Sequence, residues 1–248
     1  MSLWWKIKLT DYPWAGRALR PAFNGKGLVL NRAYQSIIAV EISPDGSRGR
    51  HLEVQKQRAA EIRDHQVYGD ENNQVAALSK DGVITLMKFE FDPQSHGRIE
   101  GEFRLNLLDS GQSSKEFALT LSVCPMSRYF FVNSYIKDSF SRVIILELSD
   151  GELSTKASID MRNQQLRYSL AAKVYGYFSR YLLFSALTCS KKAELITFVY
   201  DTLSNSFKEL KNLRRQIGDF EPRKIDQFGQ TLYSSGSSGR LVKIRYFY

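Results

Sequence analysis

Apolar and polar residues alternate in short runs along most of the chain, and the runs fall into groups. Five stretches share one plan: an apolar strand, a polar turn, a second strand closing on a turn rich in Asp, Ser or Gly, then a further strand. They are 27–30 with 36–42, 75–78 with 83–91, 129–132 with 142–148, 181–186 with 194–200, and 231–234 with 241–246. Period-two alternation over four to eight residues predicts half-buried strands. Recurrence at about fifty residues predicts one small sheet made several times over, since such a sheet buries both faces only when neighbours stack on it.

The third unit is the clearest. Residues 117–123 alternate, 125–127 turn, 128–133 form a second strand, 143–148 a third, Ser149-Asp150-Gly151 turn, and 153–159 alternate as a fourth. Similar turns follow the third strand elsewhere, at Ser43-Pro44-Asp45-Gly46, Asp92-Pro93 and Asp201-Thr202, where Asp bonds its own backbone and Gly accepts positive φ. Polar alternating stretches come next, at 52–56, 99–105 and 207–213, as expected of outer strands with one wet face. The fifth unit stops after three strands, and 3–9 reads as a strand without a unit. Pairing the two would close a ring of five four-stranded blades, so residues 1–248 are expected to form a single all-β propeller domain. Helices over 55–66 and 163–175, or a β-sandwich or barrel, are the rival readings.

In this rhythm the chain resembles the WD40-like β-propeller superfamily over essentially its whole length, although it contains neither a Trp-Asp nor a Gly-His dipeptide. The resemblance implies the architecture and the habit of serving as an interaction platform; no functional residue is carried over with it.

Charge changes the picture most. The 248 residues carry 35 Lys and Arg against 26 Asp and Glu, a net +9. Segments 1–60, 61–160 and 161–248 have net charges of +6, -6 and +9. A closed ring would make the two basic segments neighbours, with Arg17, Arg20, Arg48, Arg50, Lys191, Lys192, Lys211, Arg214, Arg215, Arg223, Lys224, Arg240 and Lys243 in one sector. Such a sector suits nucleic acid or another polyanion; its plain alternative is a solvated surface. The densest cluster, 211–215, is expected between one blade's outer strand and the next blade's inner strand. Trp4 and Trp5 are adjacent in a strand and face opposite sides, so one is a candidate interface anchor.

Catalytic signatures are sparse. His51, His65 and His96 show no metal-binding spacing and are expected at the surface; Cys124 and Cys189 read as buried thiols of a reducing compartment; 236–239 is expected to be a hairpin turn. No GxSxG elbow or phosphate-binding glycine loop occurs. The hydropathy pattern holds no membrane span, and the start reads as neither a secretory leader nor an amphipathic helix, although its basic residues keep mitochondrial import as an alternative. Together these predict an intracellular, cytoplasmic or nuclear, non-enzymatic scaffold that takes no cofactor and joins other proteins in a larger assembly. Nucleic-acid binding ranks second, and a hydrolase with carboxylates near the axis ranks third.

Overall fold

A computed structural model describes residues 15–32, 36–43, 48–55, 61–71, 73–91, 94, 96–107, 116–123, 128–136, 141–160, 169–178, 180–188, 193–218, 222–228, 231–236 and 241–245; for 15–19, 21, 25, 30–32, 48, 55, 119, 135–136, 141, 169–178, 184–188, 193 and 217–245 only the backbone is described. The proposed strand 3–9, Trp4, Trp5, Cys124 and Cys189 lie outside these residues. Everything described is strand, turn or one-turn 3-10 helix. The stretches 62–66 and 169–175, read alternatively as helical, are strands.

Among the described residues, five antiparallel sheets follow one another along the chain. The first contains β1 (Ala15–Ala22), β2 (Gly27–Arg32), β3 (Ser36–Ile42) and β4 (Arg48–Gln55). The second contains β5 (Ile62–Tyr68), β6 (Gln74–Ser79), β7 (Val83–Glu90) and β8 (His96–Arg104). The third contains β9 (Glu116–Val123), β10 (Tyr129–Ile136), β11 (Ser141–Ser149) and β12 (Glu152–Asp160). The fourth contains β13 (Ser169–Phe178), β14 (Tyr181–Thr188), β15 (Ala193–Asp201), β16 (Ser206–Glu209) and β17 (Arg215–Gly218); the fifth contains β18 (Pro222–Phe228), β19 (Thr231–Gly236) and β20 (Leu241–Arg245). Strands pair in chain order as meanders, except that β17 skips β16 and pairs with β15. The contacts divide the chain into two compact units, 1–105 and 106–248.

In all five sheets the second and third strands pair in unbroken register. Every irregularity falls on a first or a fourth strand. The extra residues sit in β1, β5, β9, β13 and β18 on one side and in β4, β8, β12 and β17 on the other. The regular central strands are the buried ones, as in the runs Ser36–Val40, Val75–Ser79 and Val143–Glu147. A bulge bends its strand and steepens the local twist, so bulges on the edge strands let these sheets splay without disturbing their central ladders.

Within the first unit, Val29, Ile37, Ala39 and Val54 of the first sheet pack on Ile62, Val75, Ala77, Met87 and Phe89 of the second. Gly97 permits the close approach there, because a Cβ would stand 2.8 Å from Val54 Cγ2 and 3.0 Å from the Phe89 ring. Within the second unit, Phe131, Val143 and Ile145 of the third sheet pack on Leu182, Ile196, Phe198 and Tyr200 of the fourth. Each such Val, Leu, Ile, Met or Phe side chain removed from water contributes about 1.5–3 kcal/mol. The turn joining β11 to β12 has φ of 52° at Asp150 and 81° at Gly151, which is why Asp-Gly stands there.

Polar clamps fix the strand ends. The wholly buried Glu116 carboxylate accepts hydrogen bonds from Arg142 Nε at 2.9 Å and Nη2 at 2.8 Å, and from the Ser134 hydroxyl; Arg142 Nη2 also donates to the Asn106 carbonyl at 2.9 Å. Near the other end of the same strands, Glu147 takes Arg128 at 2.5 Å and Lys156 at 2.7 Å. Burial alone would raise the Glu147 pKa, but its bond to Lys156 and the Arg128 charge outweigh that and lower it. Tyr200 lies beside this cluster, its hydroxyl 2.7 Å from Asn205 Oδ1, and burial pushes its phenol up to about 12.

Arg142→Ala is expected to cost about 3–5 kcal/mol in urea unfolding, because it strands Glu116 as a buried charge, whereas Arg142→Met combined with Glu116→Leu should recover most of that loss. The Tyr200 phenol titrates at about 12 in the fold and about 10 when unfolded. Its raised value contributes stability that is complete below the unfolded pKa and is lost as pH rises through the folded one. Denaturant midpoints measured over that alkaline window should fall more steeply for the native chain than for Tyr200→Phe.

Candidate active site

The first strands of neighbouring sheets lie against one another, β1 on β5 in the first unit, and β9 on β13 and β13 on β18 in the second. Together they carry Arg17, Arg20, Arg63, Asp64, Glu116, Lys173, Arg223, Lys224 and Asp226, six cations against three carboxylates. Charge on an edge strand blunts it against pairing with other chains, and it also furnishes chemistry where two sheets meet.

Described side chains converge between β1 and β5. Arg20 stands opposite Val29 in the β1–β2 ladder. On β5 the bulge falls at Arg63, which has no partner in the ladder, and pairing resumes with Asp64 opposite Leu78. Arg20 Nη2 then approaches Asp64 Oδ1 at 3.6 Å, with the two side chains 11% and 12% exposed. Arg20 Nε reaches the His65 carbonyl at 3.4 Å, and the His65 N–H donates to Asp64 Oδ1 at 2.9 Å. The His65 backbone edge is thus covered by the two charged side chains. A guanidinium set against a carboxylate, both largely buried, is an arrangement that can pair a base with an anion-stabilising neighbour. Glu116, the other described carboxylate on a first strand, is wholly buried and held by Arg142 and Ser134, so it acts as a clamp.

The expected basic sector is placed piecemeal. Arg20 is in the cluster just described. Arg50 forms a double contact with Glu41, at 2.9 and 3.2 Å, donates to the Phe91 carbonyl at 2.8 Å and lies 5.7 Å from the centre of the Phe91 ring. Its hydrogen bond holds the Glu41 carboxyl below the usual range. The backbone places Arg17 in β1, Arg48 at the head of β4, Arg223 and Lys224 in β18, and Lys243 in β20, while Lys191, Lys192 and Arg240 fall outside the described residues. The 211–215 cluster differs from its expected position. It interrupts the outer strand of the fourth sheet instead of joining two sheets, because β16 pairs with one half of β15 and β17 with the other, with a 3-10 turn at Lys211–Leu213 between them. Among the described residues no cluster of His, Cys, Asp and Glu suits a metal ion, and no helix is long and apolar enough to cross a membrane.

No protein-family model matches the chain, and no curated protein matches it. Solved structures do. The periplasmic gluconolactonase of Pseudomonas aeruginosa superposes with a TM-score of 0.59 at 12% identity over 81% of this chain, which spans 54% of that protein's length. The β-propeller domain of Cps50 (Swd1) from Myceliophteria thermophila gives 0.57 at 12% identity over 90% of this chain and 68% of that one. A Bacteroides fragilis protein described as a 6-phosphogluconolactonase gives 0.57 at 16% identity over 91% and 68%. The fold is a β-propeller. The likeness to lactonases overturns the expectation of a non-enzymatic interaction scaffold, with nucleic-acid binding next in rank.

The histidines need one correction as well. His51 is exposed and His96 sits beside Glu90 at 3.0 Å, but His65 is fully buried, with Nε2 3.3 Å from the Val29 carbonyl. A carbonyl only accepts, so Nε2 carries the proton. The bulge at Arg63 shifts the strand's parity and turns His65 inward. His65→Leu should cost about 1–3 kcal/mol by leaving that carbonyl buried without its donor. His51→Ala should stay within about 0.5 kcal/mol of the native chain. Thermal unfolding of the two variants checks the contrast.

Proposed function

We propose that this propeller is a hydrolase that opens a small cyclic ester, with Asp64 as general base and Arg20 as the group that meets the developing oxyanion. The juxtaposition of Arg20 and Asp64 on adjoining first strands carries the reading, and the likeness to two kinds of lactonase supports the substrate class. Their contact at 3.6 Å sets the guanidinium against the carboxylate. Asp64 takes a proton from water as its oxygen bonds to the ester carbonyl carbon, and Arg20 N–H groups stabilise the negative oxygen. The ring C–O bond then breaks, and the departing ring oxygen takes that proton, giving a hydroxy acid. The Asp64 carboxylate is returned unchanged. The WD40-like resemblance enters this reading as architecture alone, supported by the Swd1 propeller.

Proton release from glucono-1,5-lactone and from its 6-phosphate, measured above the spontaneous rate, tests the proposal. Asp64→Asn should lower the enzymatic rate about 10²–10⁴-fold and Arg20→Met about 10²–10³-fold, with both variants still folded by circular dichroism. No acceleration of either lactone by the native chain, or a folded Asp64→Asn variant of full activity, would reject it.

A further inference from the structure

Of the outer strands described, one departs from the repeat. β4, β8 and β12 are continuous outer strands of eight or nine residues, whereas the corresponding strand of the fourth sheet is split into β16 and β17. The Leu210 N–H still donates to the Thr197 carbonyl at 2.8 Å, and pairing resumes at Arg215. Between those points the chain departs from the sheet through the 3-10 turn, and residues 211–216 are all exposed. Departures from a structural repeat map to surface loops and often mark a binding face.

The excursion is chemically particular. Lys211, Arg214 and Arg215 lie within five residues, with Lys208 exposed just before them and Leu213 37% exposed among them. Arg214 is neutralised locally, its Nη2 2.8 Å from Glu194 Oε2 and its Nη1 3.7 Å from Glu209 Oε1. Among the described residues the Arg215 guanidinium meets the carbonyls of Asn212 and Arg214, at 2.9 and 3.0 Å. Among the described residues no carboxylate pairs with Lys208, Lys211 or Arg215. Lys208, Lys211 and Arg215, none paired with a described carboxylate, are thus sequence neighbours of the exposed Leu213, while Glu194 and Glu209 are taken by Arg214.

We infer that this excursion is a docking site for an acidic peptide segment of another protein, its carboxylates meeting Lys208, Lys211 and Arg215 and an apolar side chain covering Leu213. The interspersed Glu194 and Glu209 disfavour a polyphosphate, whose charge is continuous and which brings no apolar side chain to Leu213. Planar carboxylates match the Arg215 fork, and rim charges of this kind act mainly on encounter and partner choice.

The test is fluorescence anisotropy of the intact chain with a labelled peptide of alternating Glu and Leu, a scrambled Lys-Leu peptide and a single-stranded oligonucleotide, at 50 and 300 mM salt. The Glu-Leu peptide should bind in the micromolar range, weaken severalfold at the higher salt, and lose at least tenfold in the Lys211→Glu, Arg215→Glu double variant. Leu213→Ser should weaken it at both salts. All of these positions are exposed, and lactone hydrolysis by the same variants is expected to be unchanged. Absence of Glu-Leu binding at millimolar peptide, equal binding by the charge-reversed variant, or tighter binding of the oligonucleotide would overturn the inference.

Discussion

A four-stranded sheet with two apolar faces cannot stand alone in water, and the rest of this molecule follows from that. Its central strands are buried on both sides, so their residues are mostly apolar, the buried polar ones such as Ser134 and Glu147 are held by partners, and their ladders admit no slippage. A one-residue shift would carry whole rows of side chains to the wrong face. All the tolerance for irregularity is therefore displaced to the first and fourth strands. The edge strands are where bulges, charges and interrupted pairing collect, and they are where chemistry and contact with other molecules have room to arise.

Ion pairs occupy the two ends of that tolerance differently. Glu116 and Arg142 are closed on each other, with Ser134 completing the carboxylate's shell. Such a pair specifies geometry more than it adds stability, because the cost of removing both charges from water offsets much of their attraction. Arg20 and Asp64 meet at 3.6 Å, also on first strands, and in the proposed reaction that carboxylate is the one that acts.

The sequence makes the central strands plain and conceals the edge ones. Residues 143–148 and 83–91 announce themselves as apolar runs, and Ser149-Asp150-Gly151 announces a turn whose positive φ values the fold confirms. β1, β5 and β18 leave no such signal. The unmatched Arg63 and Arg223 break the period of two, and Arg17, Arg20, Asp64 and Asp226 dilute the apolar content that marks a strand. The candidate site lies on those strands, so Asp64 drew no attention and His65 read as a surface residue. A bulge at Arg63 was the missing signal, and it changes parity without changing composition. The break at 210–214 was hidden for a related reason, since Phe207-Lys208-Glu209 and Arg215-Gln216-Ile217 each alternate correctly on their own.

The split outer strand has an engineering consequence. β15 is gripped by β16 over Phe198–Asp201 and by β17 over Ala193–Leu195, and each grip keeps its own register. The five residues between them set no pairing beyond the single Leu210 bond to Thr197. Chain length at this point is decoupled from the sheet, so this site should accept an inserted epitope or a reporter domain with both flanking segments still anchored. Among the described outer strands, β4, β8 and β12 offer no such gap, and an insertion there would have to breach a continuous ladder.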